Sequence, residues 1–70
     1  MARRRVLPLA AVERLMKKAG AERISPSAVK ALADLLETAA EDIAARAVRY
    51  ATYAKRKTIT RADIELAASE

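Results

Sequence analysis

The chain has no cysteine, no histidine, no phenylalanine and no tryptophan, with one glycine and two prolines among its 70 residues. Each gap removes something. Without cysteine there is neither a disulfide framework nor a thiolate metal site. Without histidine there is no His-based triad and no imidazole-bound zinc. A single glycine cannot build a glycine-rich phosphate loop. No apolar run approaches the roughly 18–20 residues of a membrane span. The basic start Arg3-Arg4-Arg5 is not followed by the apolar segment of a signal peptide, because Glu13 and Arg14 interrupt it. The sequence therefore reads as cytoplasmic, indifferent to redox state, and poorly equipped for catalysis, with no cofactor or metal expected.

What is present is mostly alanine. Eighteen residues are Ala, so the 53% apolar fraction overstates the material for a core: 19 apolar residues remain without them. Chains below about 70–80 residues usually need a staple, a metal or a partner. The first two are missing, which leaves oligomerisation.

Helix formers dominate, and no stretch alternates with β-branched or aromatic enrichment as a strand would. Pro8 opens a first helix over about residues 8–18, where Leu9, Val12, Leu15 and Met16 recur at helical spacing and Gly20 supplies the left-handed stop. Ser25-Pro26 reads as a helix cap and first helical residue. Beyond it apolar residues recur every three or four positions from Ala28 through Leu32, Leu36, Ala39, Ile43, Ala47, Tyr50 and Ala54, which predicts one long helix over about residues 25–54. Lys55 to Ile59 breaks the pattern, and Thr60-Arg61-Ala62-Asp63 opens a third helix, about 60–69, with a capping-box pattern. A helix of about 30 residues is roughly 45 Å long, whereas a compact 70-residue globule has a radius of gyration of only about 11 Å. Two short helices cannot cover it. The expected solution is a homodimer whose long helices cross.

Charge is segregated. The net charge of +5 divides into +5 over residues 1–23, −1 over 24–54 and +1 over 55–70. Basic clusters flank the long helix: Arg14, Lys17, Lys18 and Arg23 before it, Lys55, Arg56 and Lys57 after it. If two long helices cross antiparallel, the first loop of one chain meets the second loop of the other and the clusters merge into a basic ridge suited to phosphates. The two tyrosines fall within the helical pattern and offer no stacking platform for single-stranded bases. Backbone-directed contact with double-stranded DNA fits best.

The runs Ala19-Gly20-Ala21-Glu22-Arg23-Ile24-Ser25 and Arg56-Lys57-Thr58-Ile59, with Asp63-Ile64-Glu65-Leu66-Ala67, resemble the two loops and third helix of archaeal-type histones. Leu7-Pro8-Leu9 and Asp42-Ile43-Ala44 match at the same register without gaps, and the resemblance covers about residues 7–68. It implies an all-α histone fold of short, long and short helices, paired as a handshake homodimer that bends or wraps chromosomal DNA with little sequence preference. Residues 1–6 then form a basic N-terminal tail and 7–70 the histone-fold domain. An alternative within the fold is a protein–protein interaction module of a transcription-related complex, for which acidic loops would be the signature.

Residue by residue, the resemblance implies that Arg23 enters a minor groove facing the protein. Thr58 braces that arginine from the partner's second loop, Lys57 contacts phosphate, and Arg14 is directed at the DNA. Lys17, Lys18 and Lys55 add to the same surface, and Arg3, Arg4 and Arg5 extend it. Arg56 and Asp63 match a pair that ties the second loop to the third helix. A dimer–dimer contact, giving tetramers or longer stacks, would involve Tyr50, Tyr53, Asp63 and Leu66. Tyr53 stands where the family usually has histidine, and Lys55 where it usually has a loop glycine.

Overall fold

In a computed structural model, described over residues 5–70, the chain forms α1 (Leu9–Lys18), α2 (Pro26–Tyr53) and α3 (Arg61–Ala68). The helix ends follow from local chemistry. Pro8 stands at the cap of α1 in extended conformation, one position before the helix proper, where its missing N–H costs nothing. The Ser25 hydroxyl accepts the Ala28 N–H at 3.1 Å, with Pro26 as the first helical residue of α2. Thr60 and Asp63 form a reciprocal capping box at the start of α3. Arg3 and Arg4, expected to extend the basic surface, lie outside the described residues.

Helices α1 and α2 end in the same way. After α1, the Ala21 N–H donates to the Met16 carbonyl at 3.1 Å and the Gly20 N–H to the Lys17 carbonyl at 3.0 Å, with Gly20 at φ +108°. After α2, the Arg56 N–H donates to the Ala51 carbonyl at 2.8 Å and the Lys55 N–H to the Thr52 carbonyl at 2.9 Å, with Lys55 at φ +59°. Both are Schellman closures that need one left-handed residue. Gly20 takes that conformation freely. Lys55 carries a Cβ into it, at a cost of about 1 kcal/mol. Lys55→Gly is accordingly expected to raise the melting temperature by several degrees at fixed protein concentration, while DNA binding weakens slightly through the lost charge. An unchanged or lower melting temperature would count against strain at this position.

The chain divides into two compact units at Thr38/Ala39. In the first, Val12 of α1 packs with Val29 and Ala33 of α2, and Leu7, Leu9, Met16, Ile24, Leu32 and Leu36 close around them. Val12 is the only large side chain that is fully buried among the described residues. In the second, the buried apolar residues are alanines: Ala47 and Ala51 of α2 and Ala67 of α3. Arg46 ties the two helices there by donating to the Ala67 carbonyl at 2.9 Å, while also pairing with Asp42 one turn earlier. The Tyr50 hydroxyl donates to the Glu70 carboxylate. Large apolar side chains are left exposed in both units, among them Leu15, Leu35, Val48, Tyr53, Ile59 and Leu66.

Candidate nucleic-acid interface

The second loop is organised by one carboxylate. Asp63 is buried, and its oxygens accept both guanidinium ends of Arg56, at 2.8 and 2.9 Å, and the Thr60 N–H at 2.8 Å. Arg56 also donates to the Thr58 carbonyl at 2.9 Å. This bidentate pairing holds the Asp63 carboxyl well below the usual carboxylate range, first through Arg56 and then through the Thr60 N–H, and it raises the Arg56 guanidinium in turn. The consequence is geometric. Lys57 and Thr58 are strung between two fixed points, with the Thr58 carbonyl turned to Arg56 and both side chains exposed. Arg56 is thus engaged within the chain, and Lys55 and Lys57 beside it are not.

The first loop is held by the Gly20 closure on one side and the Ser25 cap on the other. Arg23 lies between them, exposed, with Arg14, Lys17 and Lys18 on the preceding helix, also exposed. Lys17 and Lys18 occupy the last turn of α1, where cations are favoured by the helix dipole.

The cations sort into two groups. Arg5 pairs with Asp34 and Glu37, Arg46 with Asp42, Arg56 with Asp63 and Arg61 with Glu65. Among the described residues, Arg14, Lys17, Lys18, Arg23, Lys55 and Lys57 make no ion pair; Lys30 and Arg49 are the others without one. The unpaired charge is therefore concentrated on α1 and in the two loops. Arg5, grouped in sequence with the tail arginines, is instead half-buried against α2. The face expected to join dimers is mixed: Tyr53 is 77% exposed and Leu66 exposed, whereas Tyr50 is half-buried with its hydroxyl on Glu70 and Asp63 is buried.

Sequence reasoning missed Glu37, Arg46 and Arg61. Glu37 and Arg46 act on partners 31 and 21 residues away, which no local pattern signals. Arg61 is exposed at the start of α3 and bonds Glu65 at 2.9 Å, an i,i+4 pair that was legible.

No helix among the described residues is long and apolar enough to cross a membrane. The family described as histone-like transcription factor (CBF/NF-Y) and archaeal histone matches residues 5–68. Two curated relatives are similar over the same share of their lengths. One of the subunits of archaeal histone HAN1 from Thermococcus zilligii is 48% identical over 61 residues, covering 87% of this chain and 91% of that protein. Probable archaeal histone 3 of Methanocaldococcus jannaschii is 46% identical over 61 residues, with the same coverage of both chains.

Proposed function

The chain belongs to the histone-like transcription factor (CBF/NF-Y) and archaeal histone family, with an all-α histone fold, and from that membership we propose that it bends, wraps and compacts double-stranded chromosomal DNA as a handshake homodimer. It is a histone-fold chromatin protein and not an enzyme. The observation that carries the finer reading is the sorting of its cations: apart from Arg56, those in the two loops and on α1 are left without internal partners, while those elsewhere are mostly neutralised. Crossing two long helices antiparallel brings the Arg23 loop of one chain beside the Lys57–Thr58 loop of its partner. Arg23 is then the minor-groove contact, braced by the partner's Thr58, while Arg14, Lys17, Lys18, Lys55 and Lys57 form the surface from which about three phosphates per chain are met. Arg56 and Asp63 act behind them by fixing the loop.

Assembly beyond the dimer is proposed through Tyr50, Tyr53, Asp63 and Leu66. The exposed Tyr53 ring and Leu66 favour an apolar contact there. The Asp63 oxygens are already occupied by Arg56 and Thr60, so a polar bond from a neighbour's Tyr53 is the lesser part. The basic loops speak against a protein–protein module of the transcription-factor type.

Mixed-sequence duplex should bind with a steep salt dependence. With about six phosphate contacts per dimer, log affinity falls with log salt at a slope near −5. Arg23→Ala is expected to weaken binding about ten-fold at constant salt without lowering the melting temperature. A flat salt response would reject the mechanism, and a melting temperature that falls in step with affinity would make Arg23 structural.

A further inference from the structure

Two charged side chains of the described chain are buried, Glu37 and Asp63. Asp63 fastens the loop that presents Lys57. Glu37 lies in the other compact unit and meets the residues that lead into α1. Its carboxylate accepts the Val6 N–H at 3.1 Å and lies 3.5 Å from the Leu7 nitrogen. The Arg5 guanidinium sits 2.8 Å from Asp34 and 3.7 Å from Glu37. Burying an acid is costly unless it is hydrogen-bonded and paired, and Glu37 is both.

The helix tied in this way is lightly packed. Helix α1 has ten residues and is about 15 Å long. Val12 is its one buried side chain, with Leu9 and Met16 partly buried beside it. Its C-terminal end is tethered to α2 through the Gly20 closure and the Ser25 cap. Its N-terminal end is tethered through Leu7 and the bonds to Glu37. Between the tethers, Arg14, Lys17 and Lys18 are exposed and make no ion pair. Spaced three and four apart, they share one face of α1. Side-chain tips stand about 5–6 Å from a helix axis, so a roll of about 20° carries that whole face about 2 Å sideways. A shift of that size breaks hydrogen bonds to phosphate. One small buried side chain resists such a roll weakly, and a tether at each end resists it well.

Resting on the DNA-binding reading above, we propose that Glu37, with Asp34 and Arg5, clamps the entry to α1 so that Arg14, Lys17 and Lys18 are held in register with the phosphates they meet. Glu37 and Asp34 are positioning residues: they touch no DNA, and they act by removing freedom that α1 would otherwise lose on binding.

Charge alone predicts the opposite sign. Removing a carboxylate makes the chain more cationic and, without a positioning role, tightens DNA binding. The clamp requires weaker binding. Glu37→Gln is expected to reduce affinity for a mixed-sequence duplex about five-fold and to flatten the salt slope by about 2 per dimer, below the melting temperature of every variant. Asp34→Asn, at an exposed position, carries the same test with a smaller loss of about two- to three-fold, should Glu37→Gln fail to fold. The loss should persist in a Lys57→Ala background. It should vanish once Arg14, Lys17 and Lys18 are all replaced by Ala, because nothing on α1 is left to align. In the free protein, amide exchange in α1 should quicken in both clamp variants. Tighter binding, an undiminished loss in the chain stripped of its α1 cations, or unchanged α1 exchange would overturn the clamp. If the parent chain itself fails to bind duplex DNA, the underlying function falls instead, while α1 exchange still reports on the clamp.

Discussion

Leu35→Glu is expected to yield a chain that no longer dimerises at micromolar concentration and is largely unfolded at room temperature. In the single chain Leu35 is 69% exposed in the middle of α2, an odd place for a leucine on a helix whose other face is already covered. Leu15 and Val48 are exposed as well, and among the described residues the buried apolar core amounts to Val12, Val29 and four alanines. Seventy residues with that core do not supply the few kcal/mol that a stable monomer needs. In the proposed homodimer the missing stabilisation would come from burying these leucines and valines against a second copy, at roughly 25 cal/mol per Å² of apolar surface. A glutamate at Leu35 loses that burial and adds a charge with no partner, twice per dimer by symmetry. The dimer dissociation constant should rise by at least about two decades, and because folding and pairing are one equilibrium, helicity falls with it. Sedimentation and circular dichroism over a dilution series check both. A variant that is monomeric yet fully helical would show that the chain folds alone, and a dimer of parental stability would place Leu35 outside the interface.

The same exposed leucine shows what could be read in the sequence. The helix ends were legible because their signals are local: Pro8, Gly20, Ser25-Pro26 and the Thr60–Asp63 box act within four residues of themselves. The long helix followed from its unbroken apolar spacing. The buried roles of Glu37 and Arg46 were not legible, since each depends on where a remote segment arrives. Arg5 belongs to the same class. Its neighbours Arg3 and Arg4 make it look like part of a free basic run, and only the fold reveals Asp34 and Glu37 beside it. Lys55 was recognisable as a replacement for glycine, but its left-handed backbone needed coordinates. The loop cations Arg23 and Lys57 stood out by charge alone. That they have no internal partner, in contrast to Arg56, is a structural fact that sharpens their candidacy.

Asp63→Ala should be the most damaging single change that leaves the apolar surface untouched, lowering the melting temperature by more than about 10 °C. One carboxylate holds the Arg56 guanidinium at two points, accepts the Thr60 N–H and completes the cap of α3. Its loss strands Arg56, whose remaining bond is to the Thr58 carbonyl, and frees the loop that carries Lys57. DNA affinity should therefore fall along with stability, whereas Lys57→Ala should reduce affinity alone. The pairing also dictates a pH dependence. In the unfolded chain Asp63 titrates near 3.9, and in the folded chain it is held well below that by Arg56 and Thr60. A carboxyl depressed in this way stabilises the fold above its unfolded pKa, and the contribution drains away as pH falls from about 5 toward the folded value. Arg56, already a strong base and raised further, stays charged throughout. Parent protein should thus lose stability steeply below about pH 4, and Asp63→Ala, already weaker at neutral pH, should show a shallower acid limb. Melting curves between about pH 7 and pH 2.5 measure both limbs. Parallel limbs would mean that Asp63 is not the group whose protonation opens the second loop.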